Sequence, residues 1–369
     1  MHNTDKPNKV RVGIIGCGGI ARDKHIPALL KLENVELVGF HDVVVENAAK
    51  VAKNFGSDAA KVYPDYEKLL EDKSVDVVHV CTPNKTHAKI CIDALEAGKH
   101  VMCEKPMATS TEDARKMLDA SRRTGKKLSV SYQQRFRADS QYLHQLCQDG
   151  QLGEIYFAKA HAVRRRAVPT WGVFLDKDKQ GGGALIDIGT HALDLTLWMM
   201  NNYKPKYVVG NIYNKLGKIG SEANAWGSWN PKDFSVEDSA FGFITMENGA
   251  TIILESSWAL NTMQNMEAKT TLCGTQGGAD MMDGLRINGE RFGKLYSCKP
   301  SLEGKDLEFY NGEKEDPGEV EAKRWIECII NDTPPVVKPE EAMIVTEILE
   351  AIYKSAETGK PEYFNKSLG

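Results

Sequence analysis

The sequence predicts an α/β chain in two parts: a doubly wound parallel sheet, then an α+β domain on a large, mostly antiparallel sheet. Three observations carry this. Strand-like and helix-like runs alternate from about Val10 to Tyr132, the pattern of a parallel sheet with helices on both faces. After about Gln133 the alternation stops and longer strand-like runs take over, as in antiparallel sheets. At 369 residues the chain exceeds one ordinary core, so two domains are expected, residues 1–132 and 133–369.

The elements follow in order. Val10 to Ile15 is a short β-branched run ending in Gly16-Cys17-Gly18-Gly19, which reads as a buried strand, a turn and a helix over about Ile20 to Leu32. Val35 to Phe40 is the next strand, closed by His41-Asp42, with a helix over Val45 to Phe55. A short strand near Lys61 to Tyr63, a helix from Asp65, a strand over Val75 to Cys81 and a helix over Thr86 to Ala97 continue the series. His100 to Cys103, Thr111 to Thr124 and Leu128 to Tyr132 complete it as strand, helix and strand. Beyond Gln133, Ser140 to Asp149 and His191 to Met200 read as helices. Ile155 to Val163, Tyr207 to Leu216, Ser239 to Met246, Ala250 to Ser257 and Ala268 to Cys273 read as strands. Asn248-Gly249 is a hairpin signal between two of them. The tail, about Glu319 to Asn331 and Pro339 to Thr358, is helical.

Composition narrows the function classes. A net charge of -4 supplies no global attraction to nucleic acid or an anionic membrane. The eight cysteines show no metal-type spacing, and several sit in apolar runs where they act as small hydrophobes. A reducing compartment is the simplest reading. The polar start, Met1 to Lys9, shows no signal peptide, and no apolar run is long enough to span a bilayer. A cytoplasmic location and no bound metal are expected.

Gly16-x-Gly18-x-x-Ala21 lies between a predicted strand and a predicted helix, and Asp42 closes the next strand. Gly16 permits the tight turn, Gly18 lets the backbone approach a pyrophosphate, and Ala21 lets the helix pack closely. Gly19 and Ile20 sit where the helix begins, with its free N–H groups and positive dipole end. Asp42 would accept from ribose hydroxyls and would repel a 2′-phosphate. Val43 and Val44 supply no compensating cation, so NAD is expected over NADP. Thr82, Asn84 and His87 follow the fourth strand, on the cofactor side of this architecture; a plain turn and a structural histidine remain open there.

Glu104-Lys105-Pro106 follows a strand, where ligands of open α/β sheets bind. Lys105 would stabilise an alkoxide developing during hydride transfer, and Glu104 would pair with it; both are also candidate cofactor contacts. Alone, such a pair is common in surface loops. Gly181-Gly182-Gly183 frees the backbone ahead of Asp187, and Thr190 would cap a helix starting near His191. In a first turn the dipole keeps His191 neutral and able to accept a proton. Asp187 would orient substrate and stabilise the imidazolium. A capping aspartate beside a core histidine remains the plain alternative.

These segments together resemble the Gfo/Idh/MocA family of oxidoreductases, named for glucose–fructose oxidoreductase and inositol dehydrogenase. The anchors are Gly16 to Ala21, Gly98 to Pro106 and Gly182 to Asp194. The resemblance spans nearly the whole chain. It implies an N-terminal Rossmann domain and a C-terminal open-faced sheet used for homo-oligomer contacts. It implies NAD as cofactor and Lys105, Asp187 and His191 as the catalytic set, with His191 as general acid/base. In some relatives the Lys-Pro bond is cis.

Arg164-Arg165-Arg166 ends a strand, with Arg164 and Arg166 on one face by alternation, and Pro169-Thr170-Trp171-Gly172 follows. These are candidates for substrate binding, the arginines toward hydroxyls or an anion and Trp171 as a stacking surface; salt bridging to acids or an oligomer contact remains open for the arginines. Trp226-Gly227-Ser228-Trp229 would close over a ring or bury itself, and Arg135 reads as structural. The expectation is an NAD-dependent dehydrogenase acting on a ring hydroxyl of a sugar, inositol or glycoside, with pyranose C3 preferred by resemblance. Two alternatives stand: an NAD-recycling, glycoside-cleaving enzyme working through a 3-keto intermediate, and a non-catalytic NAD-binding regulator.

Overall fold

The structure, a computed structural model, describes residues 9–302 and 316–364. The polar start therefore lies almost wholly outside the described residues. The chain divides into two compact units, residues 1–133 with 316–343, and residues 134–315 with 344–369.

In the first unit six parallel strands run in the order β3-β2-β1-β4-β5-β6. They are β1 (Val10–Ile15), β2 (Val35–His41), β3 (Lys61–Val62), β4 (Val77–Val80), β5 (His100–Cys103) and β6 (Leu128–Val130). The order reverses between β1 and β4, the switch point where doubly wound sheets bind ligands. The helices are α1 (Ile26–Leu30), α2 (Val45–Phe55), α3 (Tyr66–Glu71), α4 (His87–Glu96) and α5 (Thr111–Thr124). Their starts carry the expected chemistry: Asp65 accepts from the Lys68 N–H and Ser110 from the Asp113 N–H. The helix expected over Ile20 to Leu32 is shorter and composite, a π turn over Ala21–His25 followed by α1.

The C-terminal segment departs from the expected division, which placed residues 133–369 in one domain. The helix α9 (Pro317–Ile330) belongs to the first unit. It buries Ala322, Trp325, Ile326 and Cys328 in the core shared by Ile26, Leu29 and the β1 face. An amphipathic helix goes where its apolar face finds partners, and sequence order does not decide that.

The second unit holds a nine-stranded sheet in the order β14-β13-β12-β11-β7-β10-β9-β8-β15. Its strands are β7 (Ile155–Val163), β8 (Pro205–Tyr213), β9 (Ser239–Met246), β10 (Thr251–Ser257), β11 (Met266–Gly274), β12 (Gly277–Asp280), β13 (Arg286–Arg291), β14 (Lys294–Cys298) and β15 (Glu362–Tyr363). All neighbours are antiparallel except β7 with β10. Gly249 takes φ +88° in the turn joining β9 to β10, as Asn248-Gly249 predicts. Strands β12 to β14 were not anticipated; they are short, and β13 and β14 carry little apolar alternation. The helices are α6 (Ala138–Gln148), α7 (Lys177–Gln180), α8 (Thr190–Met200) and the later part of α10 (Pro339–Thr358). Residues Ala158, Ala160 and Ala162 of β7 and Ile252 and Leu254 of β10 are buried, and α8 packs on β7 and β11. The opposite face shows Val209, Phe243 and Ile253 in register on three adjacent strands. Among the described residues no helix is long and apolar enough to cross a membrane.

Candidate active site

The cofactor end forms where β1 stops. Gly16 has φ +91°, a conformation that side chains disfavour. A Cβ there would also lie 2.6 Å from the Cys81 carbonyl oxygen. At Gly18 an added Cβ would meet nothing within 4 Å, so the backbone is open to an approaching group. Asp42 accepts from the Cys17 N–H at 2.8 Å and from the Val44 N–H at 2.8 Å. The acid thus fastens the glycine turn to the end of β2, and a carboxylate still has acceptor capacity beyond two bonds. Ile20, Val43 and Val44 are exposed apolar residues near this acid and turn. An open glycine turn, an acid at the second strand and exposed apolar side chains fit a dinucleotide.

His87 is not placed as a cofactor contact. It is fully buried, with Nε2 2.9 Å from the Thr82 carbonyl and Nδ1 2.8 Å from the Pro106 carbonyl. Burial lowers its pKa against the pull of these carbonyls. It clamps the turn bearing Thr82 and Asn84 to the turn bearing Lys105. Thr82 accepts from the Thr86 hydroxyl at 2.8 Å, and Asn84 opens a 3-10 turn.

Glu104 has partners besides the expected Lys105. Its carboxylate is buried and faces the π turn before α1, accepting from Lys24 Nζ at 3.1 Å and His25 Nε2 at 2.8 Å. The other oxygen accepts the Lys105 backbone N–H at 3.0 Å. Lys24 reaches Glu321 of α9 at 2.9 Å and donates to Ser131. Burial opposes ionisation of Glu104, yet Lys24 and His25 hold its pKa well below the carboxylate range. Glu104 therefore holds Lys105 through the main chain. The Lys105-Pro106 bond is cis, and Lys105 itself is partly exposed.

In the second unit Asp187 lies on a π turn, Leu185–Gly189, that runs straight into α8. Single π turns occur often at functional sites. The α-helix proper begins at Thr190, beside the expected start near His191, but Thr190 does not cap it. Thr190 has helical backbone, φ -55° and ψ -40°, and the helical path starts at Leu185. His191 is thus beyond the first turn, where the dipole argument fades. It remains largely buried, at 8% exposure. Asp187 Oδ2 accepts from the Trp258 indole at 2.9 Å.

The start of this turn is pinned by Glu237. Its carboxylate accepts the Gly183 N–H at 2.9 Å, the Leu185 N–H at 3.0 Å and the Tyr353 hydroxyl at 2.8 Å. Burial raises its pKa, opposed by those donors. The glycines here serve close approach. A Cβ on Gly182 would lie 2.0 Å from the Tyr353 hydroxyl, and one on Gly183 2.0 Å from the Glu237 carbonyl. Arg135 is structural, as expected, forming a two-point pair with Asp194 of α8 at 2.9 and 2.6 Å, with both side chains fully buried.

The substrate candidates lie past β7. Arg164 grips Glu267 at 2.7 and 2.6 Å, and Arg166 donates to Asn261 at 2.6 Å. The strand stops at Val163, so strand alternation does not set their directions. Trp171 is exposed, whereas Trp229 is buried and donates to the Gly217 carbonyl at 2.8 Å. Sequence reasoning missed Lys24, His25, Glu321, Glu237, Tyr353 and Trp258. Only Lys24-His25, a polar pair inside an expected amphipathic helix, gave a signal.

Fold and cofactor end define the class, a two-domain oxidoreductase with an NAD-binding Rossmann unit. Residues 10–132 match the model of the oxidoreductase family with an NAD-binding Rossmann fold, and residues 140–280 match the GFO/IDH/MocA C-terminal domain. The chain belongs to the GFO/IDH/MocA family. It is 37% identical over 363 residues to D-glucoside 3-dehydrogenase of Escherichia coli (strain K12), covering 97% of this chain and 99% of that protein. It is 35% identical over 197 residues to glucose-6-phosphate 3-dehydrogenase of Bacillus subtilis (strain 168), covering 52% and 54%. Its fold matches the aldose-aldose oxidoreductase of Caulobacter crescentus, solved with glycerol, at a TM-score of 0.78 and 23% identity over 96% of this chain and 100% of that one.

Proposed function

We propose that the protein oxidises a ring hydroxyl of a sugar or glycoside with NAD, at pyranose C3 by preference. The carrying observation is Asp187 on its π turn, fixed by Trp258, four residues ahead of the buried His191. Full-length similarity to a D-glucoside 3-dehydrogenase supports a glucoside and the 3 position. When bound, NAD supplies the hydride acceptor. Gly16, Gly18, Gly19 and Ile20 would cradle its phosphates, and Asp42 would take a ribose hydroxyl. His191 accepts the proton of the reacting hydroxyl, Asp187 orients that hydroxyl, and Lys105 stabilises the oxygen as charge builds on it.

The test is absorbance at the reduced-nicotinamide band, with NAD and a panel of monosaccharides, inositols and glycosides. Sustained NADH formation with glucosides, lost by about a hundredfold or more in His191→Ala, is the expected result. A sugar product without net NADH would replace this reading with the glycoside-cleaving one. A biological effect that survives both Lys105→Ala and His191→Ala would replace it with the regulator.

The Val209, Phe243 and Ile253 face supports assembly with further copies of this chain. The free cysteines among the described residues fit a reducing, cytoplasmic setting.

A further inference from the structure

In the second unit, the chain leaving β7 and the loop at residues 224–229 build an aromatic surface. Trp171 is 51% exposed and Trp226 43% exposed, although indoles are highly buried on average. Their rings meet edge to face, with centroids 4.9 Å apart at 87°. Phe174 packs on Trp171 in the same manner at 5.7 Å. The Arg164 guanidinium lies 5.2 Å from the Trp226 ring centroid.

The surface is fastened. The Asn224 side chain accepts from the Val168 N–H at 2.8 Å and donates to the Val168 and Gly227 carbonyls at 2.9 and 2.8 Å. The Ala225 N–H donates to the Arg166 carbonyl at 3.1 Å, and the Thr170 hydroxyl donates to the Trp226 carbonyl. Two half-exposed indoles held this firmly leave apolar area in water, which is unfavourable until something covers it. An aromatic face carries negative charge density and attracts the positive C–H edges of another ring.

Its place relative to Asp187 follows from the same contacts. Trp258 donates to Asp187, and the Trp258 carbonyl accepts from the Ala167 N–H at 2.9 Å. Burial disfavours the Arg164 charge, and Glu267 and then Asp187 restore it, so Arg164 lies within the field of Asp187. The links run from Asp187 to Arg164, from Arg164 to Trp226 and from Trp226 to Trp171. A guanidinium and an indole lie along that path, which suits a ring joined to the one under oxidation. The Arg164 fork is engaged, Nε and Nη2 by Glu267 and Nη1 by the Ala167 carbonyl, so this surface suits a neutral ring better than an anionic one.

We infer that Trp171 and Trp226, backed by Arg164, form a subsite for the neutral second ring of a glycoside, its aglycone. This rests on the proposed oxidation of a glycoside and adds which glycosides are taken: those whose aglycone presents a flat ring face, aromatic or sugar.

The test is calorimetry on the full chain saturated with NADH, which stops oxidation during the titration. The probes are methyl and phenyl glucosides of both anomers, maltose and cellobiose. A phenyl glucoside of one anomer should bind about tenfold tighter than its methyl counterpart. That ratio should fall to within about twofold in Trp171→Ala and in Trp226→Ala, and survive in part in Trp171→Phe. The disaccharides show whether a sugar ring serves as well as an aromatic one. Equal affinity for methyl and phenyl glucosides in the unaltered protein overturns the subsite, as does a ratio that survives both alanine variants, or no binding of any probe. If Trp226→Ala fails to fold, as circular dichroism would show, the more exposed Trp171 pair of variants decides. Parallel NADH assays separate the two readings. Turnover without the phenyl preference rejects the subsite alone; the preference without turnover of any glycoside rejects the oxidation and keeps the subsite.

Discussion

Asp42 and Glu104 show how one residue type takes two roles. Asp42 holds the Cys17 and Val44 N–H groups at the rim of the glycine turn. Asp42→Ala should weaken NAD binding and narrow the preference over NADP, since both the acceptor and the repulsion go. Kinetics with the two cofactors check this, and an unchanged ratio would argue against the role. Glu104 is a buried anion answered by Lys24 and His25. Glu104→Gln removes one of the two carboxylates Lys24 faces, Glu321 being the other, and should cost about 1–3 kcal/mol. The pH sign follows from the lowered pKa. The folded state gives up this proton more readily than the unfolded chain, whose ordinary value is 4.5. The contribution is therefore complete above that value and is lost as pH falls below it. Glu237, with a raised pKa, acts in the opposite sense, its contribution declining as pH rises through the range above 4.5. Urea unfolding of both proteins between about pH 3.5 and 6 isolates the Glu104 part as the difference in slope. Identical slopes would refute it.

At the scale of elements, the π turn ahead of α8 is the decisive piece. Its first N–H groups are bound by Glu237, and Gly182 and Gly183 allow Tyr353 and Glu237 to come that close. Gly183→Ala puts a methyl 2.0 Å from a carbonyl oxygen. The turn must shift, carrying Asp187 with it. Misplacement of about 1 Å can cost about a hundredfold in rate, so kcat/KM should fall by about that much while circular dichroism stays that of the unaltered protein. Full activity in Gly183→Ala would show that Asp187 does not need this anchor. Much of this segment was legible. The glycine run, Asp187 and His191 mark it in sequence because short-range spacing encodes them. The anchor was not legible, since Glu237 and Tyr353 lie 54 and 116 residues from their partners Gly183 and Glu237. Local pattern did not show the π turn ahead of the helix, because Ala184 to Gly189 lacks a polar capping residue at the point where the turn begins.

At the scale of the molecule, the nine-stranded sheet leaves one face with Val209, Phe243 and Ile253 in line across β8, β9 and β10. Phe243 is 45% exposed, and an apolar stripe on a sheet face invites a partner surface. Phe243→Asp should convert an assembled protein to single chains in light scattering behind size exclusion. An unchanged mass would place any assembly contact elsewhere.

By itself the sequence determined the strand–helix alternation of the first unit, the glycine turn with its acid, the hairpin at Asn248-Gly249 and the close spacing of Asp187 and His191 after a glycine run. These are readable because backbone periodicity, turn chemistry and close spacing are local properties. Tertiary structure alone decided that α9 joins the first unit, that Glu104 answers Lys24 and His25 and accepts the main-chain N–H of Lys105, and that Arg164 is committed to Glu267. Each depends on groups far apart in the chain, Arg164 and Glu267 by 103 residues. Burial and charge pairing select such partners only once the fold has brought them together.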